Sequence, residues 1–274
     1  MIARLLIPSL LLLASPFGAF AIVAPQERVV KELVYPVTKP ATPAVTESVS
    51  PMAISKKAAV AAGMMLAFNS GFTNGACLGG GLLAGTDKFA VAAVTGAWTT
   101  SALGAASGNM AAFATNAKAI LSYVTGSCIA GLMIPRPKTF VLDNGTGPTF
   151  LIGSALLYAA SRFAQSSPGT KTCFFLALMA NGLQNSVTSV HTANLCRSAH
   201  FSGITSDIGT FLGQCLRGNF DNAFKLKVFA LLGLSFWVGG FTAFFAANNY
   251  TTSTLYFSAA LHAFVGLSLL MNNK

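Results

Sequence analysis

The chain has 274 residues, of which 53% are hydrophobic and only 9% are charged. Soluble domains carry about 25% charged residues, so this composition excludes an ordinary water-soluble globule. The formal net charge of +10 comes from Lys and Arg residues that lie singly between apolar runs, with no basic stripe interleaved with aromatic residues. The pattern therefore excludes a nucleic-acid-binding protein and is typical of loop charges that orient helices in a bilayer.

The N-terminal segment has the layout of a signal peptide over residues 1–21. Arg4 precedes a short apolar run, and small residues flank Phe20 at a cleavage site of the small-x-small type. The alternative is a first transmembrane helix, but Pro16 interrupts the apolar run after about ten residues, too few to cross a bilayer. We therefore predict a cleaved signal.

Residues 22–55 form a proline-rich leader that also carries Glu, Lys, Ser and Thr. A segment of this composition cannot bury enough apolar surface to fold, so we predict that it is disordered. A signal followed by such a leader resembles the bipartite presequence of algal complex plastids, in which a Phe lies beside the cleavage site. The resemblance implies that the protein enters a plastid or endomembrane, rather than the cell surface, through its N-terminal signal.

Beyond this leader, long intervals without charged residues predict membrane-spanning helices. One crossing takes about 20 residues, and the last interval is long enough for two. The intervals predict eight spans, near residues 58–82, 89–113, 119–134, 148–161, 172–190, 199–216, 228–246 and 253–272. The sixth is the least hydrophobic and is alternatively a re-entrant or tilted helix shielded by protein, so six spans remain an alternative.

The distribution of Lys and Arg supports eight spans. With that count, nine basic residues lie on one side of the membrane and four on the other. Positive residues are enriched in cytosolic loops, so both ends of the membrane region are predicted on the cytosolic or stromal side. An arrangement with six or seven spans scrambles this asymmetry. We therefore predict an integral, multi-pass membrane protein.

The membrane region is internally duplicated. Residues 71–75 (Gly-Phe-Thr-Asn-Gly) match residues 182–186 (Gly-Leu-Gln-Asn-Ser), and each is followed by a hydroxyl-rich stretch and then by a glycine-spaced apolar segment. Small transporters are commonly built from duplicated helical units with polar and glycine interruptions in matching places. We predict an all-α, polytopic membrane helix bundle of two tandem repeats, residues 56–165 and 166–274, each with about four helical segments.

Asp207 is the only acidic residue of the membrane region that falls inside a candidate span. A carboxylate at mid-membrane is costly, so we expect it to face a partner or a wet cavity. Arg197, His200, Ile204 and Asp207 follow the spacing of one helical face, which would bring the three polar side chains together. We predict Asp207 as a proton- or cation-sensitive group and Arg197 as an ion-pair partner, with a purely structural pair as the alternative.

Amide side chains are the other candidates for a functional site. Amides in membrane helices commonly form hydrogen bonds between helices. The matching positions of Asn74 and Asn185 favour a second interpretation, in which both line a path between the repeats. We therefore predict a solute or proton pathway formed by Asn74, Gln184, Asn185, His200 and Asp207.

Several other residue types are assigned structural roles. Two glycine pairs at a four-residue spacing, Gly104 with Gly108 and Gly209 with Gly213, predict close helix packing. Five cysteines are odd in number and lie in or beside spans, so they are predicted to be packing residues and not a disulfide framework or metal site. His191 and His262 are isolated in the sequence. No motif of a zinc protease, serine hydrolase or phosphate-binding loop occurs, so no enzyme activity, cofactor or metal is predicted.

The stretches LMANGLQNSV and CRSAHFSGITSDIGTFLGQ resemble the signature of the YoaK-like family of small multi-span membrane proteins. In that family a Gly-Gln-Asn element precedes a Thr-His-x-Thr-Gly-x-x-Thr-Asp-x-Gly run. The matching positions here are Gln184, Asn185, His200, Ser202, Gly203, Ser206, Asp207 and Gly209, with Ala199 in place of the first threonine. The resemblance covers residues 58–272 and implies a domain of unknown function, for which transport is the common hypothesis.

These observations predict an uncharacterised integral membrane protein that acts as a transporter or channel for a small polar or ionic solute. Its partners would be the lipid bilayer and that solute, with a homo-oligomer left open. The alternative is a non-transporting membrane scaffold or assembly factor, in which the same polar residues only hold helices together. Loss of proton-linked uptake in Asp207→Asn would favour the first class, and loss of the folded protein would favour the second.

Overall fold

The computed structural model describes residues 52–80, 82 and 88–272. The predicted signal peptide and residues 22–51 of the predicted leader lie outside this range. Within it, the prediction of an all-α fold is confirmed, because the strands are confined to two residues each. The eight helices are α1 (Lys56–Leu78), α2 (Thr95–Ala106), α3 (Met110–Met133), α4 (Thr146–Ser166), α5 (Thr172–His191), α6 (Phe201–Leu216), α7 (Ala223–Tyr250) and α8 (Leu255–Asn272).

The last residues of the predicted leader are ordered, which corrects the expectation of disorder through residue 55. Met52–Ala53 (β1) pair antiparallel with Val141–Leu142 (β2). Ser55 then caps α1, because its Oγ accepts a hydrogen bond from the Ala58 N–H at 3.1 Å. These contacts hold the start of α1 against the loop that joins α3 to α4.

Helices α2 and α3 differ most from the predicted spans. The span predicted near 89–113 contains the 12 residues of α2, which ends at Ala106, and the first residues of α3, which begins at Met110. The chain reverses at Gly108, whose φ of 71° is a backbone conformation that favours glycine. Asn109 caps α3, because its Oδ1 accepts from the Ala112 N–H at 3.1 Å. The reversal makes α2 and α3 a helical hairpin.

Helix α1 packs most closely against α7. A Cβ atom on Gly71 would collide with the carbonyl oxygen of Phe236, and one on Gly239 would collide with the carbonyl oxygen of Phe68. The two backbones are therefore in direct contact. Small residues permit this close approach of two helix backbones.

Helix α5 packs against α3 in the same manner. A Cβ atom on Gly182 would collide with the Tyr123 carbonyl oxygen, and one on Gly126 with the Met179 carbonyl oxygen. Gly182 is the residue that matches Gly71 in the duplicated sequence. The first helix of each predicted repeat therefore contacts the third helix of the other.

Helices α4 and α8 form the third close pair. A Cβ atom on Gly147 would lie 3.0 Å from the Gly266 carbonyl oxygen, and one on Gly266 would lie 2.9 Å from the Gly147 carbonyl oxygen. Helix α4 also packs along α5. The α4–α8 contact brings together the last helices of the two predicted repeats. The α4–α5 contact joins this pair to the α3–α5 pair.

Large apolar side chains cover much of the outside of the bundle. Helix α7 exposes a row of rings in which Trp237 stacks on Phe241 and Phe241 contacts Phe245, with centroids 5.3 and 5.2 Å apart. All three side chains are more than half exposed. The segments Ala223–Ser253 and Leu255–Asn272 have the length and apolar composition needed to cross a membrane. Apolar surface of this extent indicates association with a membrane.

Candidate functional site

A cavity of about 370 Å³ lies between α1, α5 and the first residues of α2 and α6, with walls from α3 and α7. Polar side chains from both halves of the chain line this central cavity. They are Asn74, Thr95, Tyr123, Asn185, His200 and Ser202. The structure thus brings together three predicted pathway residues, Asn74, Asn185 and His200, and leaves Gln184 and Asp207 outside the lining.

Asn74 and Asn185 hold the segments that lead into α2 and α6. Asn74 Oδ1 accepts hydrogen bonds from the Val91 and Ala92 N–H groups at 2.8 and 3.1 Å. Asn185 Oδ1 accepts from the Ala199 N–H at 3.0 Å. In the part of the chain that the structure describes, neither Nδ2 atom has a hydrogen-bond partner. The oxygen of each amide therefore positions the segment that leads into a helix. The nitrogen of each amide can donate to a ligand or to water.

The loop before α6 places Arg197, His200 and Asp207 differently from the expected single helical face. Helix α6 begins at Phe201, so Arg197 and His200 precede it. The loop folds so that Arg197 Nη2 still donates to Asp207 Oδ2 at 3.1 Å, with the side chains 21% and 39% exposed. His200 reaches the cavity, and a Cβ atom on Gly203 would lie 2.6 Å from its Nε2. Asp207 is thus a paired carboxylate beside the cavity and not part of its wall.

Gln184 is the centre of a buried hydrogen-bond network. Its Nε2 lies within hydrogen-bond distance of three acceptors, the Leu66 carbonyl oxygen at 2.9 Å, Ser70 Oγ at 2.8 Å and Ser198 Oγ at 3.0 Å, and its two N–H groups serve two of them at a time. Its Oε1 accepts from Asn69 Nδ2 at 3.0 Å. The side chain is fully buried. These bonds tie α5 to α1 and to the loop before α6, which is the interhelical role that buried amides commonly have.

His262 extends this network to α8, although sequence analysis left it isolated. Its Nδ1 lies 3.1 Å from Asn69 Nδ2 and 3.0 Å from the Ser258 carbonyl oxygen. His262 Nδ1 accepts from Asn69 Nδ2 in one ring tautomer and donates to the Ser258 carbonyl oxygen in the other. Within the described residues, Asn69 Oδ1 and His262 Nε2 are buried without a partner. The sequence feature that could have identified His262 as a network member was the position of a histidine inside the last apolar span.

His191 also has a partner. Its Nε2 lies 3.2 Å from Thr146 Oγ1 at the start of α4, and its carbonyl oxygen accepts from the Phe140 N–H at 2.7 Å. His191 therefore ties the end of α5 to the start of α4 through its ring and to the loop between α3 and α4 through its backbone. Among the residues that the structure describes, no three His, Cys, Asp or Glu side chains are grouped as metal ligands.

Of the four glycines predicted to pack helices, Gly104 makes a close helix contact and the other three do not. A Cβ atom on Gly104 would lie 2.7 Å from the Phe113 nitrogen, so this residue does contact α3 across the hairpin. Gly108 lies in the turn after α2. Gly209 and Gly213 have open space beside their Cα atoms within this chain. A four-residue glycine spacing alone therefore does not identify the close contacts, which apart from that of Gly104 involve glycines at other positions of α1, α3, α4, α5, α7 and α8.

Comparison with protein families gives one match. The family model described as "Protein of unknown function (DUF1275)" matches residues 62–268. The resemblance to the YoaK-like family agrees with this match. Comparison with curated proteins and with solved structures finds no match. The matched range includes every residue named above as lining the central cavity. The chain therefore belongs to the DUF1275 family, whose function is not known.

Proposed function

We propose that the protein is an integral, multi-pass transporter or channel for a small polar or ionic solute, and that the central cavity lies on its path. The observation that supports this proposal is a cavity that receives polar side chains from both halves of the chain, with Asn74 and Asn185 at matching positions. Solute sites in transporters built from repeats commonly lie at the repeat interface near the middle of the bilayer.

The proposal includes two tandem structural repeats, residues 56–165 and 166–274. Its support is that equivalent residues make equivalent contacts. Gly71 of α1 meets a carbonyl of α7, and Gly182 of α5 meets a carbonyl of α3. Asn74 accepts from the backbone just before α2, and Asn185 from the backbone just before α6. A duplication explains why both the packing contact and the amide contact recur at the same sequence offset.

The proposal also accounts for the short helices α2 and α6. Each would be one part of a membrane crossing whose helix is interrupted. The 12 residues of α2 extend only about 18 Å, less than the hydrocarbon core of about 30 Å. Residues 88–94 precede it without helical structure, and Val91 is fully buried. Residues 192–200 precede α6 similarly, and Ser198 is fully buried there. Irregular backbone is tolerated at membrane depth when protein buries it or a cavity borders it.

The competing function is a membrane scaffold or assembly factor. Two observations favour it. Gln184 uses its amide to hold helices together, and the rings of Trp237 and Phe241 on α7 form an exposed apolar surface. A scaffold needs no water in the central cavity, whereas a transporter or channel does. Access of water to the cavity therefore separates the two functions.

Single-cysteine accessibility tests the proposal. In a variant without the five native cysteines, Thr95→Cys and Ser202→Cys place a thiol at the cavity wall. Ser258→Cys is the matched control, because Ser258 is fully buried in α8. We expect a membrane-impermeant thiol reagent to modify both cavity thiols at least about tenfold faster than the control, whose reaction requires local opening.

Protection of both cavity thiols from reagent on either side of the membrane would contradict a solute path. The scaffold function would then be favoured. Labelling of Ser258→Cys at the same rate as the cavity thiols would show that the variants are unfolded, so each variant must also elute as a single species in detergent.

A further inference from the structure

In the central cavity, the amide oxygens of Asn74 and Asn185 accept hydrogen bonds, and their nitrogens have no partner among the described residues. Asn74 Oδ1 accepts from two backbone N–H groups and Asn185 Oδ1 from one. These donors fix the orientation of each amide, because a flipped side chain would set its NH2 group against a backbone N–H. What each side chain offers to a ligand is therefore an NH2 group with two N–H donors.

The first turns of α2 and α6 add donors at the same cavity. Thr95 and Phe201, the first residues of these helices, both line it. The preceding residues Val94 and His200 form no side-chain cap, so the first N–H groups of both helices lack a capping acceptor. Helix N-termini carry a partial positive charge. A helix end alone does not define a site, but here two of them accompany the two amides.

Among the described residues, the side chains of this wall offer a cation hydroxyl oxygens and an imidazole but no carboxylate. Hard cations are bound by carboxylate and carbonyl oxygens, and no carboxylate occurs among the described residues that line the cavity. The amide oxygens of Asn74 and Asn185 already accept hydrogen bonds from backbone N–H groups. The nearby carboxylate of Asp207 is paired with Arg197 at 3.1 Å. The chemistry of the wall thus matches a ligand that accepts hydrogen bonds and carries negative charge.

We infer that the central cavity binds a small anion, an inorganic oxyanion or a short carboxylate, through the Nδ2 groups of Asn74 and Asn185. The inference rests on the proposed function and names its class of solute. The cavity volume of about 370 Å³ equals that of about a dozen water molecules at roughly 30 Å³ each. An anion of this class fits with part of its hydration shell, and the hydroxyls of Thr95, Tyr123 and Ser202 add further donors.

Thermal unfolding of the purified full-length protein in detergent tests the inference. The probes are sodium nitrate, sulfate, phosphate, formate and acetate at constant ionic strength, with sodium gluconate as the reference. Potassium and choline gluconate serve as cation probes and glucose as the neutral probe. Asn74→Asp and Asn185→Asp keep the oxygen that holds the backbone and replace the NH2 donor with a carboxylate oxygen. Asn219→Asp is the matched control, because Asn219 Oδ1 accepts from the Asp221 N–H at 3.0 Å in an exposed turn.

We expect at least one of these anions to raise the unfolding midpoint with saturation. Each cavity variant should weaken the binding of that anion by roughly tenfold or more, because a donor is lost and a like charge is placed against the ligand. The Asn219→Asp control should bind it as the unmodified chain does. Absence of a saturable effect from every named anion would overturn the inference, and so would an unchanged response in both cavity variants.

Failure of this inference is distinguishable from failure of the proposed function. If an anion binds at the cavity but does not cross vesicles that contain the protein, the anion site stands and transport is refuted. If a cation or glucose crosses those vesicles and no anion changes the unfolding midpoint, transport stands and the anion site is refuted.

Discussion

At the scale of single residues, Asn74 and Asn185 combine a proposed role in the solute path with a structural role that the sequence did not show. Their matching positions in the duplicated sequence predicted a shared role in a path between the halves. The structure adds that each Oδ1 holds the backbone before a short helix. This second role depends on where residues 88–94 and 192–200 fold back, and no local pattern encodes that return. For the same reason the contact of His262 with Asn69 could not be predicted.

We predict that mutation can distinguish the role of Asn74 Oδ1 from that of Asn74 Nδ2. Asn74→Ala removes the acceptor for two backbone N–H groups and should lower the free energy of unfolding by about 1–3 kcal/mol. Asn74→Asp retains an acceptor and should cost clearly less. The measurement is the denaturation midpoint of both variants in the same detergent. Equal losses of stability in the two variants would show that the oxygen does not hold this segment.

At the scale of helices, the sequence located most elements but not their partners. The spans predicted at 172–190 and 253–272 correspond to α5 and α8 within two residues, because long charge-free intervals determine where a helix runs. The break between α2 and α3 was predicted at residues 114–118 and lies at residues 107–109, since hydropathy does not register the backbone conformation of Gly108. The close pairs were missed, because hydropathy does not indicate which glycine meets a carbonyl on another helix.

We predict that Gly71→Ala separates α1 from α7 and that Gly213→Ala does not disturb the bundle. The added methyl at Gly71 would collide with the backbone carbonyl of Phe236, which cannot move independently of α7. At Gly213 the space is open, and alanine is the better helix former by about 1 kcal/mol. Size-exclusion chromatography and thermal unfolding in detergent would measure both effects.

The same loss is predicted for the equivalent glycine in the other half of the chain. Gly182→Ala should reproduce the loss seen with Gly71→Ala, because Gly182 meets the Tyr123 carbonyl in the equivalent contact. A Gly71→Ala protein that elutes as a single species with an unchanged unfolding midpoint would contradict the direct contact of the two backbones. A destabilised Gly213→Ala protein would instead indicate that a second copy packs on α6.

At the scale of the whole molecule, composition and duplication indicated the class of fold but not its assembly. A charged fraction of 9% and the charge-free intervals predicted a helical membrane protein. Which helix packs on which is a long-range property, decided by backbone contacts such as those of Gly126 and Gly239. The candidate cavity forms because the two short helices begin at one place, and only the assembled bundle shows this.

The most direct test of the account is solute flux through the central cavity. Vesicles containing the cysteine-free protein with Thr95→Cys would be assayed with the anion, cation and neutral probes, before and after reaction with a membrane-impermeant thiol reagent. We predict that at least one solute crosses faster than in protein-free vesicles, and that modification at Thr95 reduces its rate to that of protein-free vesicles while the cysteine-free protein is unaffected. Fluxes equal to those of protein-free vesicles for every solute, or a flux that modification leaves unchanged, would contradict the account.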